Sequence, residues 1–211
     1  MAGMILANGG TFGASGKYLA EIEGNGSVTL TSGIVTSGGL VSIGPGNGDA
    51  VSGEAGSFNM TGGSSAAGIT FAVSEPATIS LSDISLPPNT GTFLSVSAGG
   101  VTLNASNAVL SGDIYAVQSD SLTVSLSHGS SLRGAASAGE SLMLDATSTW
   151  SVTANSTITT LTDPEGISGT SVSNIAGNGF TVYYSASKSP ALGGRTYALT
   201  NGGVLTPSPN P

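Results

Sequence analysis

A nine-residue pattern of apolar and polar positions recurs through the middle of the chain. Each copy starts with two apolar residues that have one other residue between them. Three turn-forming residues follow, then a Ser or Asn, and then an apolar residue two positions after that Ser or Asn. Clear copies begin at Val124, Leu142 and Trp150, earlier ones begin at Val101 and Ile79, and a looser relative begins at Val28. Apolar residues that alternate with other residues indicate short β-strands with one buried face. The pattern therefore predicts strands joined by tight corners.

The three-residue breaks mark the predicted corners. The breaks at 127–129 and 145–147 contain residues that favour turns. The Ser or Asn that follows a break can bond its side chain to the local backbone. In the copy that begins at Val101, the pattern predicts Asn107 at the corner and Val109 on the buried face.

The spacing of the copies indicates a solenoid. Corresponding copies begin at residues 79, 101, 124 and 142, which leaves room for about three short strands and their corners in each repeat. Strands this close leave no room for helices between them, and no stretch of helical length shows a 3.6-residue period. We expect an all-β, single-domain parallel β-helix with about three short strands per rung.

The structural alternative is an antiparallel β-sandwich, in which hairpins with Asn-Gly turns join longer strands. Asn-Gly pairs lie mostly outside the regular stretch, at Asn8, Asn25, Asn47, Asn178 and Asn201. The β-helix is therefore the favoured prediction.

The predicted domain limits follow from the regularity of the pattern. Residues 21–205 are expected to form the β-helix, and residues 1–20 an N-terminal cap or added segment. The proline-rich residues 206–211 are expected to form an extended linker. Because stacked rungs need covered ends, the less regular segments 1–20 and 165–205 are the candidate caps.

Composition and charge exclude several classes of partner. Hydrophobic residues make up 38% of the chain, which favours a buried core over disorder. With a net charge of −8 and only four Lys and Arg residues, the chain is not expected to bind nucleic acid or an anionic membrane. No apolar run approaches the roughly 20 residues that span a bilayer, so we expect no direct membrane insertion by this segment.

The chain offers few groups for catalysis or for cofactors. It has no cysteine and a single histidine, His128, at a predicted corner. We expect no metal, nucleotide or redox cofactor. A calcium site in the Gly-rich stretch 44–49 is a weaker reading than a surface loop.

Acidic residues matter because many β-helices act on polysaccharides. Hydrolases need two carboxylates at a defined separation, and the acids of this chain are scattered. Asp113 with Asp145, or Asp120 with Glu140, are the pairs that could align on neighbouring rungs. The favoured interpretation is that the acids are isolated and solvated.

Several motifs between residues 112 and 207 form a distinctive set. They are Gly112-Asp113-Ile114, Val124-Ser125-Leu126-Ser127, Ser130-Ser131-Leu132 with Gly134-Ala135, Leu142-Met143-Leu144, Ser148-Thr149-Trp150-Ser151-Val152-Thr153, Ser156-Thr157-Ile158 and Gly194-Arg195-Thr196-Tyr197-Ala198-Leu199. With these motifs, a little under half of the chain resembles the C-terminal β-helical passenger region of bacterial autotransporters of the adhesin type.

The resemblance implies a right-handed β-helix, export through the outer membrane and display at the bacterial cell surface or outside the cell. The N-terminus lacks the basic start and apolar stretch of a signal peptide, and we expect no translocator barrel after Pro211. We therefore expect an excised passenger segment or a secreted relative. The resemblance does not fix the function, because one fold hosts many functions.

Three residues are the candidates for ligand binding. Arg133 follows an inward Leu and should point outward, where it can contact a sugar. Tyr183 and Tyr115 are expected on outward strand positions, whereas Trp150 and Tyr184 should face the core by alternation.

Three functions fit these observations. The first is a non-catalytic stalk or adhesin that binds a glycan or an extracellular-matrix protein through a broad polar face. The second is a polysaccharide lyase or hydrolase, which would require two or three acids to converge with Arg133 or Lys188. The third is an adhesin that associates with further copies of itself.

Overall fold

A computed structural model describes residues 3–13, 17–45, 53–117, 122–137 and 140–209. Over these ranges the chain forms a parallel β-solenoid of about 8 turns, with three sheets in each rung. The parallel β-helix predicted from the sequence is therefore confirmed. Within the described part, no helix is long and apolar enough to span a membrane.

The strands are short and follow one another closely. They are β1 (Met4–Asn8), β2 (Thr11–Gly13), β3 (Tyr18–Glu23), β4 (Ser27–Thr31), β5 (Ile34–Ser37), β6 (Gly39–Gly44), β7 (Gly56–Thr61), β8 (Ser64–Ser65), β9 (Ile69–Val73), β10 (Ala77–Ser85), β11 (Thr92–Val96), β12 (Val101–Ser111), β13 (Asp113–Ala116), β14 (Leu122–Ser127), β15 (Ser131–Arg133), β16 (Ala136–Ser137), β17 (Glu140–Leu144), β18 (Thr149–Ser151), β19 (Ser156–Thr162), β20 (Ile167–Ser168), β21 (Ser171–Ala176), β22 (Thr181–Tyr184), β23 (Tyr197–Thr200) and β24 (Val204–Pro207). A single 3₁₀ turn, Pro190–Leu192, is the one helical segment of the described ranges.

The strands stack into three faces. The first face contains β1, β4, β7, β10, β12, β14, β17 and β19 in hydrogen-bonded order, and β22 and β24 continue its sheet. The second face begins with β2, β5 and β8 and continues through the second halves of β10 and β12 into β15, β18, β21 and β23. The third face contains β3, β6, β9, β11, β13 and β16.

Alternating side chains from all three faces meet in one continuous core. In β14, Leu122, Val124 and Leu126 are buried, and the residues between them are partly exposed. Aromatic residues stack along the core as well, because the Phe71 ring lies edge-on to the Phe58 and Phe93 rings at 5.3 and 5.5 Å. Such edge-to-face pairs add to the free energy that burial contributes.

The corners use the residues that the sequence pattern placed there. His128 has a φ of 55° and Asn107 a φ of 50°, in the left-handed region that turn residues tolerate. Ser130 follows the first corner, and its hydroxyl donates to the Ser127 carbonyl at 2.7 Å and accepts from the Ala108 amide at 3.1 Å. The predicted role of the corner serine is confirmed at Ser130.

The predicted register is wrong in the copy of the repeat that begins at Val101. Leu103, and not Val101, is the partner of both Ile79 and Val124. The corner after Leu103 has one residue fewer than the corner after Val124, so the following strand reverses its faces. Val109 is consequently 47% exposed, and Leu110 is 1% exposed.

Within the described residues, antiparallel pairing is limited to β20 with β21 and β23 with β24, near the C-terminal end. The antiparallel sandwich is therefore excluded. The segment after Tyr184 packs against β19, where Leu192 is buried and the Ser189 hydroxyl donates to the Thr159 carbonyl at 3.2 Å. At the opposite end Ile5 occupies an inward position yet is 58% exposed.

The corrected register can be tested by truncating two neighbouring side chains. Leu110→Ala should lower the free energy of unfolding by about 2–5 kcal/mol, because it leaves a cavity in the core. Val109→Ala should lower it by less than about 1 kcal/mol, because Val109 faces solvent. Urea unfolding followed by circular dichroism measures both values. A larger loss of stability in Val109→Ala than in Leu110→Ala would contradict this register and support the one predicted from the sequence.

Candidate functional site

A polar groove lies at the corner between the second and third faces, next to Arg133. The groove has a volume of about 310 Å³. Its lining residues are Asn89, Thr90, Gly112, Asp113, Arg133, Gly134, Thr153 and Ala154. Arg133 ends β15 and is exposed, as predicted.

Close backbone packing shapes the floor of this groove. A side chain at Gly134 would place its Cβ 2.1 Å from the Gly112 carbonyl oxygen, so only glycine fits there. The Gly112 amide donates to the Arg133 carbonyl at 2.9 Å, and the Gly134 amide donates to the Ser151 carbonyl at 3.1 Å. The two glycines therefore hold consecutive rungs together beneath the Arg133 side chain.

Asp113 supplies the acidic side of the groove. Its Oδ1 accepts hydrogen bonds from the Ala135 amide at 2.8 Å and from the Thr153 hydroxyl at 3.5 Å. Asn89 shapes the rim, since its Oδ1 accepts from the Gly91 amide at 2.8 Å. A guanidinium, a carboxylate and hydroxyl groups together can bind the hydroxyls or the carboxylate of a sugar.

The two candidate tyrosines lie on strands outside this groove. Tyr115 is 44% exposed and lies between Ser95 and Ser137 on the third face. Tyr183 is half-buried and lies between Thr157 and Thr206. The structure therefore distributes the three predicted binding residues over the surface, and it places only Arg133 in the groove.

The outward side of the first face carries three continuous columns of small polar residues. The first column is Ser27, Ser57, Thr78, Thr102, Thr123, Ser141 and Thr160. The second column is Thr29, Asn59, Ser80, Asn104, Ser125, Met143 and Thr162. The third column is Thr31, Thr61, Ser82, Ser106 and Ser127. Met143 is the only member of these columns from β4 to β19 that is not Ser, Thr or Asn, whereas β1 places Met4, Leu6 and Asn8 next to Ser27, Thr29 and Thr31.

The structure separates Asp113 from Asp145, one of the two acidic pairs that could align on neighbouring rungs. Asp113 lies at the corner between the second and third faces, whereas Asp145 lies at the corner that follows the first face. Asp120 and Asp49 fall outside the described residues, as does most of the Gly-rich stretch 44–49. Glu140 points into the core.

Asp145 stabilises the backbone at its corner. Its carboxylate accepts hydrogen bonds from the His128 amide at 2.6 Å, the Thr147 amide at 3.0 Å and the Ser148 amide at 2.8 Å. Desolvation opposes ionisation, but these hydrogen bonds outweigh it and lower the pKa of Asp145 below its ordinary value. A structural role accounts for this acid.

The expectation that the acids are solvated is wrong for Glu75, Glu140 and Asp163, whose exposed fractions are 5%, 2% and 2%. Glu140 occupies an inward position between Leu122 and Ile158, where burial raises its pKa to about 7. Burial also raises the pKa of Asp163, and hydrogen bonds from the Asn174 side chain and the Gly166 amide oppose that shift.

Trp150, Tyr184 and His128 lie where the sequence pattern predicts them. Trp150 and Tyr184 are buried, and the Trp150 indole donates to the Gly134 carbonyl at 3.0 Å. His128 is exposed at its corner, with Nδ1 3.3 Å from the Ser106 hydroxyl. Over the described ranges, no three His, Asp or Glu side chains converge in the way that a metal ion requires.

Comparison with known proteins finds no match, so the function of the chain is inferred from its fold and from the geometry of its surface. No protein-family model, no curated protein and no solved structure matches the chain.

The buried Glu140 predicts that stability depends on pH. Because the folded-state pKa is raised, its contribution is fully present below the pKa of the unfolded chain and is lost as pH rises through about 7. The loss between pH 4 and pH 8 should be about 3 kcal/mol. Asp163 acts in the same direction.

Glu140→Gln should remove most of this loss, because the amide has nearly the same shape and stays neutral. Urea unfolding at both pH values measures the difference, with Glu23→Gln as the control for an exposed acid. An equal pH dependence in the Glu140→Gln variant and the unmodified chain would show that the Glu140 carboxyl is solvated.

Proposed function

We propose that this chain is a non-catalytic, β-helical stalk or adhesin that binds a glycan or a protein outside the cell. The observation that carries the proposal is the continuous, uncharged outer surface of the first face, formed by the three columns defined above. Ser, Thr and Asn side chains both donate and accept hydrogen bonds. They suit a partner that is itself rich in hydroxyl or amide groups.

The stacked rungs supply the rigidity that a stalk needs. Backbone hydrogen bonds join each first-face strand to its neighbours from β1 to β19. Each rung contacts its neighbours, so an array of rungs extends a binding surface in one direction. Individual hydroxyl contacts are weak, and affinity comes from many contacts made together.

The Arg133 groove is the proposed site for directional contacts. Arg133 and Asp113 line the same groove as Thr153, and this combination binds sugar hydroxyls or an amide group. The exposed ring of Tyr115 and the half-buried ring of Tyr183 offer aromatic surface for further contacts.

The resemblance to adhesin-type autotransporter passengers supports display at a bacterial cell surface or in the extracellular space. The parallel solenoid is consistent with that family, and the motifs in residues 112–207 carry the likeness. We therefore place the proposed partner, a glycan or an extracellular-matrix protein, outside the cell.

A binding screen on immobilised glycans and extracellular-matrix proteins tests the proposal. The chain should bind at least one of them saturably. Arg133→Ala or Tyr183→Ala should weaken binding by about tenfold if the altered residue forms a charged or aromatic contact. Lys188→Ala is the control that removes a positive charge elsewhere. Binding to none of these ligands would contradict the proposed adhesive function.

A further inference from the structure

The three columns of the first face form a regular array. The array is not visible in the sequence, because the rungs differ in length and the column members have no fixed separation along the chain. Strands in a sheet lie about 4.7–4.9 Å apart, and outward residues along one strand lie two residues, or roughly 6.6 Å, apart. The first and second columns run through seven consecutive strands, from β4 to β19. The result is a flat lattice of hydroxyl and amide groups.

We infer that this face binds an uncharged, extended polysaccharide that lies parallel to the solenoid axis, along the columns. The inference rests on the proposed adhesive function and names its ligand class and its site. Three properties of the face carry it, namely its lack of charge, its unpaired polar groups and its period.

The absence of charged residues from the columns favours a neutral ligand. The columns contain no Asp, Glu, Lys, Arg or His. The whole chain carries a net charge of −8, so a polyanionic glycan would be repelled as it approached. A neutral glycan approaches without that penalty, and its hydroxyls match the donors and acceptors of the columns.

The polar groups at the centre of the face are available for a ligand. The hydroxyls of Thr78, Thr102 and Thr123 and the amide of Asn104 make no side-chain hydrogen bond with another described residue. By contrast, the Ser127 hydroxyl, at the edge of the face, donates to the Ala105 carbonyl at 3.2 Å. Exposed groups that bond only to water can exchange that water for sugar hydroxyls.

The period of the columns suits an extended chain. Each rung offers one polar group per column at the strand spacing of about 4.8 Å, which is close to the length of one sugar unit in an extended chain. Successive sugars can therefore meet successive rungs. Each contact is weak, so affinity should rise with the number of sugars until the ligand spans the columns.

The experiment measures binding of linear, neutral β-linked gluco-oligosaccharides of two to eight sugars by titration calorimetry. Affinity should increase with length and level off near seven sugars, the number of strands in the first column. It should not change between low and high salt, because no charges take part. Oligogalacturonates, which are acidic, should bind at least about tenfold more weakly.

The variants replace hydroxyls on one face at a time. The triple variant Thr78→Val, Thr102→Val and Thr123→Val keeps the side-chain shape and removes three hydroxyls, and it should weaken binding of the longest oligosaccharide at least about tenfold. The control variant Thr70→Val, Thr92→Val and Thr149→Val removes three hydroxyls on the third and second faces and should leave the affinity unchanged. Circular dichroism verifies that each variant folds.

Four outcomes would overturn the inference. They are affinity that is independent of length, preference for the acidic oligosaccharides, loss of binding in Arg133→Ala but not in the triple variant, and self-association that the triple variant abolishes. In the first three cases the chain still binds a glycan, so the proposed adhesive function stands. In the fourth case the first face binds a second copy of this chain, which replaces the polysaccharide as its partner. If the chain binds neither these glycans nor any glycan or matrix protein in the screen, the proposed function fails together with the inference.

Discussion

Parallel hydrogen bonding between successive rungs is the constraint on which the rest of the structure depends. Because the strands are parallel, residues at equivalent positions stack in columns along the axis, inward or outward for the whole length of a face. An inward column must be apolar over many rungs to form the core. The outward columns face no such requirement, and on the first face from β4 to β19 they consist almost entirely of Ser, Thr and Asn.

The corners absorb the differences in length between rungs and so preserve this stacking. Val28, Phe58, Ile79, Leu103 and Val124 occupy one inward column although their separations along the chain vary. Left-handed residues and the clamp at Asp145 make such corners possible. Stacking also explains Glu140, because an in-register strand directs its side chain inward whether or not the side chain is apolar.

The sequence predicts what depends on local alternation, and it fails where information from other rungs is needed. Trp150 and Tyr184 were correctly expected in the core, because each continues an alternating run. Val109 was misplaced, because a corner shorter by one residue reverses the faces of the next strand. The polar columns could not be predicted from the sequence, because the rungs differ in length and residues of one column therefore do not recur at a fixed interval. The burial of Glu140 contradicts the usual preference of acids for solvent.

Distances along one column give the most direct measurement of in-register stacking. The chain has no cysteine, so spin labels attach only at introduced positions. Labels at Ser27 paired with Thr123, Ser141 or Thr160 lie four, five and six strands apart. Pulsed electron paramagnetic resonance should give about 19, 24 and 29 Å, rising by one strand spacing each time. Distances that do not rise by one spacing per rung would contradict the stacking and the polar columns built on it.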